Sequence, residues 1–220
     1  MKIIVLIIAS NGEHYDKMIT IWEKYMNSHT NIQSFFIMNK EDIKEDVILI
    51  DNIIYVKSKE NLIPGILIKT IKSINFCINN LDFDFIFRTN LSSFIILDKL
   101  YEFVKNNNID YGGVIGVTDN FIKFASGSGF LISKETCKYL IENENDLLYN
   151  LIDDVAIGQL LTKKYKITPI IRINNVPHQG GFDYDYLKNN PCFHFRCKNY
   201  YNNHEDTILF MKNLFNLIYS

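Results

Sequence analysis

Apolar and polar positions fall in blocks along this chain, and the blocks set the expected elements. The first, Ile3–Ile8, has no polar interruption, which fits a strand buried on both faces. Ser10, Asn11 and Gly12 make a loop at its C-terminal end. Met18, Ile19, Trp22 and Tyr25 then recur at helical spacing, predicting a helix over 15–27. Residues 34–38 and Val47–Ile50 read as short strands. Over 61–79, Ile66, Leu67, Thr70, Ile71, Ile74 and Ile78 keep a helical period with Pro64 in the first turn. A strand over 83–87 follows and ends abruptly in polar residues. Further on the pattern predicts helices over 96–106, 134–148, 153–165 and 205–217, and strands over Tyr111–Val117, 126–133 and 167–173. The stretch 177–200 reads as an aromatic loop rich in Gly, Asn and His.

Strand–helix alternation over the first hundred residues predicts an α/β protein with a mostly parallel sheet. A length of 220 residues suits one domain, 1–220, and neither a repeat nor a compositional shift divides it. Hydrophobic residues make up 47% and charged residues 22%, ordinary values for a globular protein. A net charge of -2 gives no footprint for nucleic acid. The leading apolar run is too short for a membrane span or a signal peptide, so the expectation is a soluble, cytoplasmic protein. Cys77, Cys137, Cys192 and Cys197 form no CxxC pair. Cys192 and Cys197 flank His194, but a fourth zinc ligand is lacking, and free thiols in a reducing compartment fit better.

Four constellations could carry chemistry. Arg88, Thr89, Asn90, Ser92 and Ser93 follow a strand, where ligands of open α/β sheets gather. They could meet the phosphates of a nucleotide, or Ser92 or Ser93 could simply cap a helix. Gly127-Ser128-Gly129 allows close approach of backbone to a ligand, or a bulge entering a strand. Asp153 and Asp154 stand at a helix N-terminus, where the dipole favours carboxylates. They could cap, or Asp154 could act as a base toward a bound hydroxyl. His194 and Arg196 share a face if their segment is extended, so one anion or metal could meet both.

In order and spacing these pieces resemble the GT-A glycosyltransferases, specifically the β1,3-glycosyltransferase and Fringe-like group. That group carries N-L-x-x-K-T, a strand ending in K-T-D-D-D-V-F, then S-G-G-G-Y-V-L-S, E-D-V-x-x-G and a late His. Here stand Asn61-Leu62 with Lys69-Thr70, Arg88-Thr89-Asn90-Leu91-Ser92-Ser93-Phe94, Ser126-Gly127-Ser128-Gly129-Phe130-Leu131-Ile132-Ser133, Asp153-Asp154-Val155 with Gly158, and His194. The match covers roughly residues 46–200. The chain is also similar to the small single-domain glycosyltransferases of large DNA viruses, whose turn can likewise lack aspartates; in that case the compartment would be the host cytoplasm.

The resemblance implies a GT-A fold and transfer of a sugar from a nucleoside diphosphate sugar to a hydroxyl of a glycan or glycoprotein, with inversion. UDP is the nucleotide that group favours. Asp154 would be the general base, with Asp153 orienting or capping. Ser10, Asn11 and Asp51 would meet the base and ribose, and Gly127, Ser128 and Gly129 would let a sugar pass close to backbone. Lys69, Arg88, Asn90, Ser92 and Arg196 would meet the diphosphate. Phe182, Tyr184 and Tyr186 could stack on acceptor sugars or form a packed lid. The group's DxD carboxylates, which hold a divalent ion, are replaced here by Asn90, Leu91 and Ser92. The expectation is a weakly held Mn or Mg ion on Asn90 and His194, assisted by the substrate. The alternative is direct neutralisation by Arg88, Arg196 and Lys69. Asp82 and Asp84 spell D-F-D, but they precede the strand and so fall at the wrong end of the sheet. Two other classes remain: a binding protein of this fold without turnover, and a nucleotidyltransferase. The latter would demand a carboxylate pair and a Gly-rich basic first loop, neither of which Ser10-Asn11-Gly12 supplies.

Overall fold

The computed structural model describes residues 1–175, 184–198 and 203–219. All six residues of β1 (Ile3–Ile8) are buried. Successive strand side chains point to opposite faces, so Ile3, Val5 and Ile7 enter one hydrophobic core and Ile4, Leu6 and Ile8 the other. Both faces are covered, which is why the apolar run has no alternation. The first core is closed by Met18, Ile21 and Trp22 of α1 (Glu13–Glu23), by Leu97, Leu100 and Val104 of α3 (Leu97–Asn106), and by Ile208, Met211 and Leu214 of α7 (His204–Tyr219). The second is closed by Leu67, Ile71 and Ile74 of α2 (Gly65–Asn80), Cys137 and Leu140 of α4 (Lys134–Glu142), and Ile157 and Leu160 of α5 (Asp153–Leu161).

The remaining strands of the main sheet are β2 (Ile32–Asn39), β3 (Val47–Ile50), β4 (Ile53–Val56), β5 (Phe85–Asn90), β7 (Tyr111–Val117), β8 (Lys123–Ser133) and β9 (Ile167–Pro169). Their order is β3-β4-β2-β1-β5-β8-β7-β9. The β4–β2, β2–β1, β1–β5 and β7–β9 pairs are parallel, while β3–β4, β5–β8 and β7–β8 are antiparallel. The C-terminal ends of β1 and β5 therefore share one edge with the first half of β8. Between the pairs Gly113–Phe130 and Ile115–Ala125 the β7–β8 register shifts, and residues 126–129 form a bulge at that edge. Bulges re-aim side chains next to functional sites.

A second sheet, β10-β11-β6, joins β6 (Ser93–Ile95), β10 (Arg172–Asn174) and β11 (His194–Arg196). Its pairs Arg172–His194 and Arg196–Ser93 carry two arginines to the end of β5. The short helix α6 (Tyr184–Asn189) precedes β11.

Several expected elements are corrected. Arg88, Thr89 and Asn90 are the last residues of β5, paired with Leu6, Ile7 and Ile8, and the turn comes only at Leu91 and Ser92. The 167–173 strand is two strands in different sheets, β9 and β10. The helix expected over 134–148 ends at Glu142, and a 3-10 turn (Glu144–Asp146) follows. The helix expected over 153–165 ends at Leu161. Within the expected loop 177–200, β11 is a strand. Asp82 and Asp84 sit at the opposite edge of the sheet, against Lys2. Among the described residues, no helix is long and apolar enough to cross a membrane.

Candidate active site

Every arginine of the chain, Arg88, Arg172 and Arg196, reaches the 126–129 bulge or the end of β5 beside it. Their surroundings divide them. Arg88 is 3% exposed, and its guanidinium donates to Asp153 Oδ2 and to the Gly127 carbonyl. Asp153 is buried too, at the first position of α5. The pair locks β5, β8 and α5 together, and it turns the Arg88 charge inward rather than toward the open mouth where a diphosphate was expected. Arg88 is thus a positioning residue in this geometry.

Asp154 lies beside it and is partly exposed. Its Oδ2 accepts the Gly127 N–H at 2.7 Å and its Oδ1 the Val155 N–H at 2.9 Å. Burial, and then the neighbouring Asp153 charge, raise the Asp154 carboxyl above the usual aspartate range, against the opposing pull of these amides and Arg88. A carboxylate with raised basicity at a half-open helix tip can take a proton from a bound hydroxyl.

Lys69 is fully buried. Its Nζ donates to the Ala9 carbonyl at 2.9 Å and to both Glu60 oxygens at 3.1 and 3.2 Å. Burial lowers its pKa while Glu60 opposes the shift. Its charge, like that of Arg88, is matched by a carboxylate, and Lys69 anchors the end of β1 rather than presenting a free cation. Ser10, partly exposed, donates from Oγ to Glu60 at 3.1 Å, so it stands at this same edge with exposed Asn11 beyond it. Asp51 does not join them. It forms the β3–β4 turn with φ of 53°, and because β3 runs antiparallel to β4 this turn lies at the N-terminal end of β4.

Asn90, Ser92 and Arg196 do come together. Arg196 Nη1 donates to Asn90 Oδ1 at 2.7 Å and to Ser92 Oγ at 3.0 Å. Ser92 and Ser93 also donate to Asn90 Oδ1, at 3.2 and 3.1 Å. Arg172, which is absent from the expected site residues, donates to Ser126 Oγ at 3.3 Å and to Ser128 Oγ, and from Nε to Asn174 at 2.9 Å. The backbone carbonyl of Ser128 accepts from Thr89 and Ser93, which fixes the bulge on β5. Ser128 thus orients an arginine, and Gly127 carries the Arg88–Asp154 link.

Gly129 has a packing reason. A Cβ there would lie 2.5 Å from His194 Cε1 and 2.8 Å from Phe87 Cζ. His194 is fully enclosed, and neither ring nitrogen has a hydrogen-bond partner among the described residues. Burial, with the Arg172 and Arg196 charges adding to it, pushes its pKa down to about 3. The strand β11 is extended, and the two residues share a face as the alternation predicts, yet the imidazole packs inside while the guanidinium reaches the mouth.

These residues make a poor seat for Mn or Mg. Hard cations want anionic oxygens; Asn90 and Ser92 offer neutral ones, and Asn90 Oδ1 already faces three donors, one of them cationic. Among the described residues no group of three or more His, Cys, Asp or Glu could hold a metal ion. Phe182 and the Tyr184 side chain lie outside the described residues, and Tyr186 is 58% exposed on α6. A separate cleft of about 460 Å³, lined by Lys57, Lys59, Asn61, Gly65, Lys72 and Tyr149 among others, shares none of the arginine-cluster side chains.

No family model matches the chain, and no curated protein is significantly similar to it in sequence. Several solved structures are similar to it at low identity. The 4-diphosphocytidyl-2C-methyl-D-erythritol synthase of Anaerococcus prevotii DSM 20548 is 12% identical with a TM-score of 0.49, over 77% of this chain and 86% of that one. The galactosyltransferase LgtC, in complex with donor and acceptor sugar analogs, is 11% identical with a TM-score of 0.49, over 100% of this chain and 97% of that one. The protein A197 from STIV is 9% identical with a TM-score of 0.46, over 77% and 82%. The chain has an α/β fold with a central mixed sheet, parallel in four of its seven strand pairs, flanked by helices.

Proposed function

We propose that this chain is a glycosyltransferase that moves a sugar from a nucleoside diphosphate sugar to a hydroxyl of a glycan or glycoprotein, with inversion. The observation that carries the reading is Asp154: a carboxylate of raised basicity, partly exposed at a helix tip, fixed through Gly127 beside an arginine cluster at the ends of β1 and β5. In the reaction the acceptor O–H proton passes to Asp154. The acceptor oxygen bonds the anomeric carbon as the bond from that carbon to the diphosphate oxygen breaks, and the electron pair leaves with the diphosphate. The sugar passes through an oxocarbenium-like state, as in glycoside cleavage. Asp153, held by Arg88, positions the start of α5. Ser10 and Asn11 would meet the nucleoside, and Tyr186 an acceptor ring.

Release of nucleoside diphosphate from a panel of nucleotide sugars, with and without glycan acceptors, tests this. Turnover in the wild type that Asp154→Asn abolishes supports the reading. Wild-type turnover in that variant removes Asp154 from the role. One observation favours a second reading, a sugar- or nucleotide-binding protein without turnover: both Asp154 oxygens already hold backbone amides. Ligand-induced thermal stabilisation with no release of diphosphate, even to water, would select it.

A further inference from the structure

The charges at the mouth do not balance. Lys69 has Glu60 and Arg88 has Asp153, both as ion pairs. Arg172 and Arg196 have no such carboxylate among the described residues. Both are partly exposed, and both are held by neutral oxygens: Arg172 by Ser126, Ser128 and Asn174, Arg196 by Asn90 and Ser92. The β10–β11 pairing sets them diagonally on neighbouring strands, two positions apart, since Arg172 is in register with His194 and Asn174 with Arg196. Holding two like charges together without a counter-ion is unfavourable unless an anion binds there. Burial and then the Arg172 charge bring Arg196 down to about 10, which leaves it cationic at neutral pH.

The seat of Arg196 gives the second half of the inference. Asn90 and Ser92 are neutral, and a guanidinium bonds to both. Carboxylates at these positions would neutralise Arg196, whereas an amide and a hydroxyl aim it and leave its charge available. A guanidinium fork matches phosphate oxygens, and unlike an ion it cannot dissociate.

We propose that Arg196, seated on Asn90 and Ser92 and joined by Arg172, takes the place of a divalent cation and binds the pyrophosphate of the donor, so that the site works without metal. The assignment of that anion to a nucleotide sugar rests on the transferase reading; the anion site itself does not.

The test is calorimetric titration of the full chain with inorganic pyrophosphate, in EDTA and again with Mn. Equal affinity in the two, within about twofold, is expected, with a loss of about tenfold or more in Arg172→Ala and in Arg196→Ala. Arg196 also holds Ser92, so Asn90→Asp is included: its new carboxylate would neutralise Arg196 and weaken pyrophosphate in EDTA at an unchanged melting temperature. Binding that requires Mn overturns the proposal. So does undiminished binding in Arg172→Ala and Asn90→Asp. Turnover that depends on Mn would sink this inference and leave the transferase standing. Metal-free pyrophosphate binding without any sugar transfer would do the reverse.

Discussion

Arg88 and Asp154 hold one residue by its two ends. The Arg88 guanidinium donates to the Gly127 carbonyl, and Asp154 accepts the Gly127 amide at 2.7 Å. Residues from β5, β8 and α5 are thereby tied together, and the Asp154 carboxylate inherits its position from a buried ion pair it does not itself make.

Asp154→Asn keeps the shape and removes the base. Sugar transfer should fall by about a hundredfold or more, the usual scale of general-base catalysis, while donor affinity is retained. Burial and Asp153 raise the pKa of this carboxyl. The active, ionised form is therefore lost as pH falls through the raised value, and the acid limb of kcat should lie at higher pH than for an ordinary aspartate. A pH–rate profile of the wild type reads this directly.

Removing one partner of the Arg88–Asp153 pair leaves the other buried and unpaired. Arg88→Met or Asp153→Asn should each cost about 3–5 kcal/mol of stability, and the double variant Arg88→Met/Asp153→Leu should recover a substantial part of it. Urea unfolding of the three variants separates a structural pair from a ligand contact.

His194 should make stability fall in acid. Its pKa is about 3 in the folded protein, against an ordinary value of 6.5. Below the ordinary value the unfolded chain takes up a proton that the folded chain refuses. The His194 contribution is therefore lost as pH falls, by about 2 kcal/mol between pH 7 and about pH 5. His194→Gln should flatten that part of the slope; denaturant midpoints of both proteins at the two pH values are the measurement.

Gly127→Ala and Gly129→Ala should fail differently. A Cβ on Gly127 meets Arg88 Nη1 at 3.0 Å and Asp154 Oδ2 at 3.1 Å, so turnover should drop more than stability. A Cβ on Gly129 meets the His194 and Phe87 rings inside the core, and overpacking there should cost about 1–3 kcal/mol in an unfolding experiment.

What the sequence made legible followed burial. The strands Ile3–Ile8, Val47–Ile50 and Tyr111–Val117 match their predicted bounds. Three short strands escaped, β4, β6 and β11, of three or four residues each, which only their partners make strands, while β9 and β10 were read as one run. The gathering of Asn90, Ser92, Arg196 and the bulge is what the family resemblance implied. The inward turn of Arg88, Lys69 and His194 was not foreseen, because the pairing with buried Asp153, the pairing with exposed Glu60 and the space above Gly129 exist only after folding. Arg172 had a signal that went unused. The chain has three arginines and twenty lysines, and where lysine is the default cation an arginine marks a need for a planar fork.

The small β10-β11-β6 sheet is also completed late in synthesis. Its middle strand comes from residues 194–196 and one flank from residues 172–174, whereas the aspartate tip and the bulge lie upstream. On the ribosome the emerging chain can complete most of the main sheet well before either late arginine has left the exit tunnel. The two-arginine cluster is completed last, so a partly made molecule would carry Asp154 before it carries Arg172 or Arg196.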